Sequence, residues 1–276
     1  VTRLRADNRW TAELDAVLGA LPSYTQLGMA TLLPGSSRKI DPANGSAFVD
    51  GKKASGLDGR NQILKAFEDG KAIAIKAEEF MEMNSKADVR PLFKDNDVVF
   101  IFHDVIDKIG HSRDTEAKTS SAVEDAFDEL QKIFRKIANA NRDNMLLTAD
   151  HGFMFQQSPV EKDDDQPLPE AGEWLSTDRR YAIGKGVQPD PSIKMFTAEQ
   201  LHLEGDWTAA FPLGLGRFPL RGAGKRFVHG GLSLQEAIVP VVRIHKTRVD
   251  DVGQVGVDVL RVPSKITTGQ LSLSFY

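Results

Sequence analysis

Two short runs rich in β-branched and aromatic residues, VVFIF at Val98–Phe102 and MLLT at Met145–Thr148, each stop at a cluster of Asp and His. Between them Val123, Phe127, Leu130, Phe134 and Ile137 recur at alternating spacings of four and three, the apolar stripe of a helix, and Ser121-Ala-Val-Glu124 reads as its capping box. Val98 to His151 is therefore expected to form a βαβ unit. Strands joined this way run parallel and share the sheet edge on which open α/β folds hold ligands. Asp107, His111, Asp150 and His151 should converge there, although about forty residues separate the two pairs.

Upstream, Trp10, Leu14, Val17 and Leu18 predict a first helix that stops at Gly19-Ala20-Leu21-Pro22. Thr25 follows, at the N-cap or first turn of a short helix closed by Pro34-Gly35. Its hydroxyl has two readings: a cap for the helix end, or a nucleophile that a neighbouring metal or base makes reactive. From about Ser36 to Asp97 weak periodicity and polar composition suggest an insertion over one sheet edge. It carries a predicted helix from Arg60 to Glu68, a strand over Ala72–Lys76 and a helix from Ala77 to Met83. Ser55, Asp58 and Arg60 are candidate substrate contacts there, with exposed turn chemistry the simpler account.

Glu161 to Glu173 reads as a solvated acidic loop, and Asp163–Asp165 lacks the Gly turn and distal Glu of a calcium loop. A strand is expected near Arg180–Ile183, then a Gly- and Arg-rich stretch, then the strand AIVPVVRIHK, in which Pro240 suggests an edge or a bulge. The expected organisation is an α/β domain over 1–246, its central, mostly parallel sheet flanked by helices and 35–97 inserted as a cap. The start of a β-rich module over 247–276 follows. Both ends read as cut from a longer polypeptide.

The 276 residues are 41% hydrophobic, enough for a sizeable core. A formal charge of −4, from 35 basic and 39 acidic residues, announces neither a nucleic-acid nor a membrane surface by bulk electrostatics. No apolar run approaches the ~18 residues of a membrane span, so a soluble, cytoplasmic protein is the default expectation. With no cysteine, any transition metal must be held by Asp, Glu, His or hydroxyl oxygens. His229, in VHGG before a strand, adds a third imidazole to the two Asp–His pairs. Two carboxylates, three imidazoles and the Thr25 hydroxyl suffice for two ions about 3.5–4 Å apart, the spacing that clamps both oxygens of a phosphoryl transfer. His103 and Asp104 border the set and could orient its members. His202 and His245 fall outside it.

PSYTQLGMATLLP, FHDVIDKIGH with downstream Thr115-Glu116, LLTADHGF and VHGGLSLQEAIVPVV together cover most of Leu21 to Val242. In these segments the chain resembles the alkaline phosphatase superfamily, and within it the PglZ proteins of BREX-type phage-resistance systems. The resemblance implies an alkaline-phosphatase-like fold with one metal on Asp107, His111 and His229 and another on Asp150, His151 and the nucleophile Thr25. Zinc is the first choice for both ions, with manganese or magnesium as alternatives. The superfamily also uses an Asp at the end of its first strand; no residue here matches it, and that strand is expected to precede Val1. The implied function is a metal-dependent phosphohydrolase of the phosphodiesterase or nuclease type in phage defence, working by in-line displacement through a phospho-threonine. Its substrate would be a phosphodiester, nucleotide or nucleic acid, and its partners other phage-defence proteins. Arg217, Arg221, Lys225 and Arg226 offer positive charge to substrate phosphates, Arg221 and Arg226 foremost, or else form a solvated face. The alternative function is a catalytically silent assembly module that keeps the ligands for structure. A cofactor-independent phosphoglycerate mutase relative would share the two metals, but the TQLGMATLLP signature argues against it.

Overall fold

Short β-branched and aromatic runs alternate with helical stripes along most of the chain, and that alternation sets the architecture. The computed structural model describes residues 1–158, 160, 165–170, 172–220, 224–247, 259–261 and 274–275. These fall into two units, Val1–Lys246 and Thr247–Tyr276. In chain order the first unit contains α1 (Thr2–Arg5), β1 (Trp10–Leu18), α2 (Thr25–Thr31), β2 (Arg38–Ile40), β3 (Ala47–Val49), β4 (Lys52–Lys53) and α3 (Gly56–Leu64). Next come β5 (Ala72–Lys76), α4 (Ala77–Glu82), α5 (Arg90–Asp95), β6 (Val98–Phe102), α6 (Val105–Gly110), α7 (Thr119–Asn139) and β7 (Asn144–Thr148). It closes with β8 (Met154–Phe155), β9 (Glu173–Thr177), β10 (Ala182–Lys185), β11 (Ile193–Thr197), β12 (Thr208–Pro212), β13 (Phe227–Val228), α8 (Leu234–Ala237) and β14 (Ile238–Lys246). In the second unit β15 (Val259–Arg261) pairs antiparallel with β16 (Ser274–Phe275).

The fold is α/β. β5 and β6 run parallel, from Ala72 opposite Val98 to Lys76 opposite Phe102. β14 lies between β1 and β7 and is antiparallel to both. A separate antiparallel sheet has the order β11-β12-β10-β9. The long helix α7 spans two hydrophobic clusters, which is how it ties the strands together. Ile133 and Ile137 pack with Ile75, Phe80 and Val89, while the neighbouring Phe134 packs with Trp10, Val242 and Ile244. A third cluster, around Leu27, Ile40, Leu64 and Phe211, seats α2 and α3 against the four-stranded sheet.

Several local expectations change. The predicted first helix is the strand β1, since Trp10, Leu14 and Leu18 fit a period of two as well as one of four. β14 supplies its hydrogen bonds from Trp10↔Lys246 to Leu18↔Ile238. Within the βαβ unit, β6 pairs with β5 and β7 with β14; among the described residues β6 and β7 are not paired with each other. Ser121 caps nothing: α7 starts at Thr119, after a 3₁₀ turn, and Ser121 Oγ donates back to the Lys118 carbonyl at 2.8 Å. The buried face of α7 runs through Ala122, Ala126, Ile133, Phe134 and Ile137, leaving Phe127 exposed. On the polar side of α7, Glu129 pairs with His103 and Lys136 donates to the Met81 and Met83 carbonyls. The helix expected from Arg60 begins at Gly56, and the strand expected at Arg180 begins at Ala182. Pro240 lies in a central strand rather than an edge one. β7 reaches only Val241, so the proline sits where β14 is paired on one side alone.

Candidate active site

Thr25 is the first residue of α2, and Tyr24 before it fixes the approach by stacking on Tyr181 at 5.2 Å and donating to the Gly45 carbonyl at 2.9 Å. One turn later Gly28 lets α2 press on the loop that follows β7: a Cβ there would stand 2.2 Å from the Asp150 carbonyl oxygen. That loop carries His151, whose Nε2 lies 3.0 Å from Thr25 Oγ1. From the other side α6 brings Asp107 and His111, four residues apart on one helical face. Gly110 permits its contact with β13, since a Cβ would meet the Phe227 ring at 2.5 Å. His229 follows β13 immediately, and its Nε2 lies 3.0 Å from His111 Nε2 and 3.8 Å from Asp107 Oδ1. The rings of His151 and His229 stack at 4.0 Å.

Hydrogen bonds at the far nitrogens assign the tautomers. His151 Nδ1 lies 3.0 Å from the Gly152 carbonyl and His229 Nδ1 lies 3.3 Å from that of Ser23. A carbonyl only accepts, so both Nδ1 atoms carry the hydrogen, and the Nε2 lone pairs point into the site. His151 Nε2 is 3.5 Å from Asp150 Oδ2, and among the described residues the buried Asp107 Oδ1 and Asp150 Oδ2 have no hydrogen-bond partner. Two orphaned carboxylate oxygens beside inward-facing imidazole nitrogens make the donor set of a cation site. Burial, with the nearby His151 and His111, holds the His229 pKa well below its usual 6.5 and keeps the ring a neutral ligand. Burial also raises the Asp150 pKa, against the His151 pull downward, and Asp107 adds to the rise. A divalent ion would remove both penalties. One donor atom each from Asp107, His151 and His229 lies within 4.8 Å of the others, so the residues present fit a metal.

A buried scaffold holds the His229 loop. Arg180 and Glu236 form an ion pair at 2.9 Å with side chains 1% and 0% exposed. Glu236 also accepts from the Gly231 N–H and from Ser233 Oγ, closing the capping box of α8. The buried Glu116 accepts from the Arg226 N–H at the start of β13. Ser233-x-x-Glu236 is legible as a capping box, but nothing local to the sequence points to Arg180, 56 residues away.

The remaining candidates are placed as follows. His103 bonds Glu129 at 2.8 Å and Asp104 pairs with Lys108 at 3.0 Å; both residues line the cavity beside Thr25. Arg226 donates to the Gln156 and Gln157 carbonyls, tying β13 to β8 rather than reaching the cluster. Arg217 is buried and donates to the Lys225 and Leu215 carbonyls, and Lys225 pairs with Asp165 at 2.6 Å. Arg221, Asp163 and Asp164 lie outside the described residues.

The family model for the BREX system PglZ alkaline phosphatase-like domain matches residues 1–244. The chain belongs to the PglZ family. It is 38% identical over 246 residues to the alkaline phosphatase-like protein BrxZ of Escherichia coli, an alignment covering 88% of this chain and 28% of that protein. To the alkaline phosphatase-like protein PglZ of Bacillus cereus it is 32% identical over 283 residues, covering 99% of this chain and 32% of that protein. The chain thus spans about a third or less of the length of these PglZ relatives. Murine ectonucleotide pyrophosphatase/phosphodiesterase 5 superposes with a TM-score of 0.48 at 13% identity, covering 83% of this chain and 78% of that one. Its inactive form in complex with AMP gives 0.49 at the same identity and coverage. Among the described residues of this PglZ domain no helix is long and apolar enough to cross a membrane.

Proposed function

We propose that this PglZ domain is a metal-dependent phosphohydrolase of the phosphodiesterase or nuclease type, serving phage defence with other components of the same system. The observation that carries the reading is the 3.0 Å contact from Thr25 Oγ1 to His151 Nε2 at the edge of the Asp107, His151 and His229 cluster. Asp107, His111 and His229 would hold one divalent ion, zinc first, and Asp150, His151 and Thr25 another. Such ions lower the pKa of a bound hydroxyl and neutralise charge on a phosphoryl group.

The chain's own residues supply the rest. Thr25 presents its oxygen from the rigid start of α2, so attack on phosphorus comes from one fixed direction. Because His151 Nδ1–H is committed to the Gly152 carbonyl, its Nε2, 3.0 Å from Thr25 Oγ1, is the nitrogen left to hold an ion beside that oxygen, and the hydroxyl proton would pass to solvent. The Oγ1–P bond forms as the ester P–O bond breaks, and hydrolysis of the phospho-threonine by water restores Thr25. The test is initial-rate hydrolysis of bis(p-nitrophenyl) phosphate with zinc, manganese or magnesium supplied, in the wild type and in Thr25→Ala. Turnover by the wild type alone is expected. If both are inactive while phage resistance survives Thr25→Ala, the site is an assembly element instead.

A further inference from the structure

A cavity of about 490 Å³ opens beside Thr25, and one wall of it is built by the insertion. Helix α3 is pinned there by Asn61, whose side chain bonds both the N–H and the carbonyl of Ala74 on β5. That attachment delivers Arg60 into the wall, its guanidinium carbon 4.6 Å above the Phe102 ring. Nε donates to the Ala54 carbonyl at 3.3 Å, and among the described residues the two terminal nitrogens have no hydrogen-bond partner. A half-buried guanidinium with two uncommitted terminal nitrogens offers an anion a ready pair of donors. Burial lowers the Arg60 pKa, and the negative charge of Asp150 opposes that shift.

The other cations of the wall are differently placed. Lys108 is engaged by Glu78 and Asp104, whereas Lys76 and Lys132 are exposed. With its guanidinium carbon over the Phe102 ring and its Nε on the Ala54 carbonyl, Arg60 has its two terminal nitrogens left as a fork, the donor pair that grips two oxygens of one phosphoryl group. Around it the cavity is lined by Met29, Leu57, Met81 and Phe102, an apolar surface fitting an aromatic ring.

We propose that Arg60, laid on Phe102, is the anion clamp that holds the substrate's phosphoryl group beside Thr25, with a ring-bearing ester substituent in the apolar cavity around it. This rests on the phosphohydrolase reading and adds to it a specificity residue and a substrate class, phosphoesters carrying an aromatic group.

The test is equilibrium binding, which needs no turnover. Phenylphosphonate and methylphosphonate are titrated calorimetrically into the zinc-dialysed chain as wild type, Arg60→Gln, Arg60→Lys and Lys132→Gln, with unfolding midpoint and zinc content measured on each. Losing a bidentate charged contact should weaken phenylphosphonate about 10- to 100-fold in Arg60→Gln, and by most of that in Arg60→Lys, which keeps the charge but not the fork. Lys132→Gln should bind like the wild type, and the wild type should prefer phenylphosphonate to methylphosphonate. Arg60→Gln binding within twofold of wild type, at unchanged midpoint and zinc content, overturns the clamp while leaving the phosphohydrolase reading in place. Equal affinity for the two probes overturns the ring pocket. If the wild type binds neither, the phosphohydrolase reading and the clamp fall together.

Discussion

Gly28→Ala tests whether the close approach of α2 to the loop after β7 is what sets the nucleophile. A Cβ at position 28 would stand 2.2 Å from the Asp150 carbonyl oxygen, and real Cβ contacts essentially never fall below 3.0 Å, so helix or loop must retreat by about 0.8 Å. Both neighbouring atoms of the obstruction are main chain, so no rotamer change relieves it. Thr25 lies three residues earlier on the same helical face and moves with the helix. Its 3.0 Å contact with His151 then opens toward 3.8 Å, past hydrogen-bonding distance. A misplacement near 1 Å costs on the order of 100-fold in rate, and overpacking costs about 1–3 kcal/mol in stability. Initial rates on bis(p-nitrophenyl) phosphate and urea unfolding of the same preparations measure the two effects separately. A rate within about threefold of wild type with an unshifted unfolding midpoint would refute the reasoning, because neither the displacement nor the strain would then exist.

Glu236→Gln leaves the Arg180 charge buried without its carboxylate and should destabilise the chain by about 3–5 kcal/mol in chemical unfolding. The double variant Arg180→Met/Glu236→Leu should recover much of that loss; a single variant no less stable than wild type contradicts the scaffold role. In the metal-free chain, His229 is held neutral while the unfolded chain titrates near 6.5, so below that pH the folded state binds fewer protons than the unfolded one. Stability should therefore hold above about pH 6.5 and decline as pH falls below it, with a shallower decline in His229→Gln. Equal slopes for the two proteins in urea midpoints taken between pH 7.5 and 5.5 would exclude His229 as the cause.

The convergence of the candidate residues is legible because its signals are local. Asp107 and His111 share a helical face, Asp150 and His151 end a strand, and His229 sits in a Gly-rich loop, so each cluster could be placed on an element before its neighbours were known. What escaped depends on contacts distant in sequence. Trp10, Leu14 and Leu18 satisfy helix and strand periods alike, and only pairing with β14, more than 200 residues on, decides for the strand. The Arg180–Glu236 pair joins a loop before β10 to the short helix before β14, and no spacing announces it. In the sequence, charge alone marks Arg217, Arg221, Lys225 and Arg226 as candidates for substrate binding. Packing separates them, committing Arg217 to carbonyls of its own loop and Arg226 to those of Gln156 and Gln157 across from β13, and placing Arg60 in the cavity wall.

If the donors of Asp107, His151 and His229 form a metal centre, the chain must hold metal, and its metal content is the direct test. The chain would be stripped with chelator, dialysed against zinc, manganese or magnesium in turn, freed of loose ion and analysed for elements beside Asp107→Asn and His151→Ala. The account predicts at least one tightly held ion per wild-type chain, with a raised unfolding midpoint, and loss of both in the two variants. A wild type that retains none of the three metals, or variants that retain as much as the wild type, would contradict it.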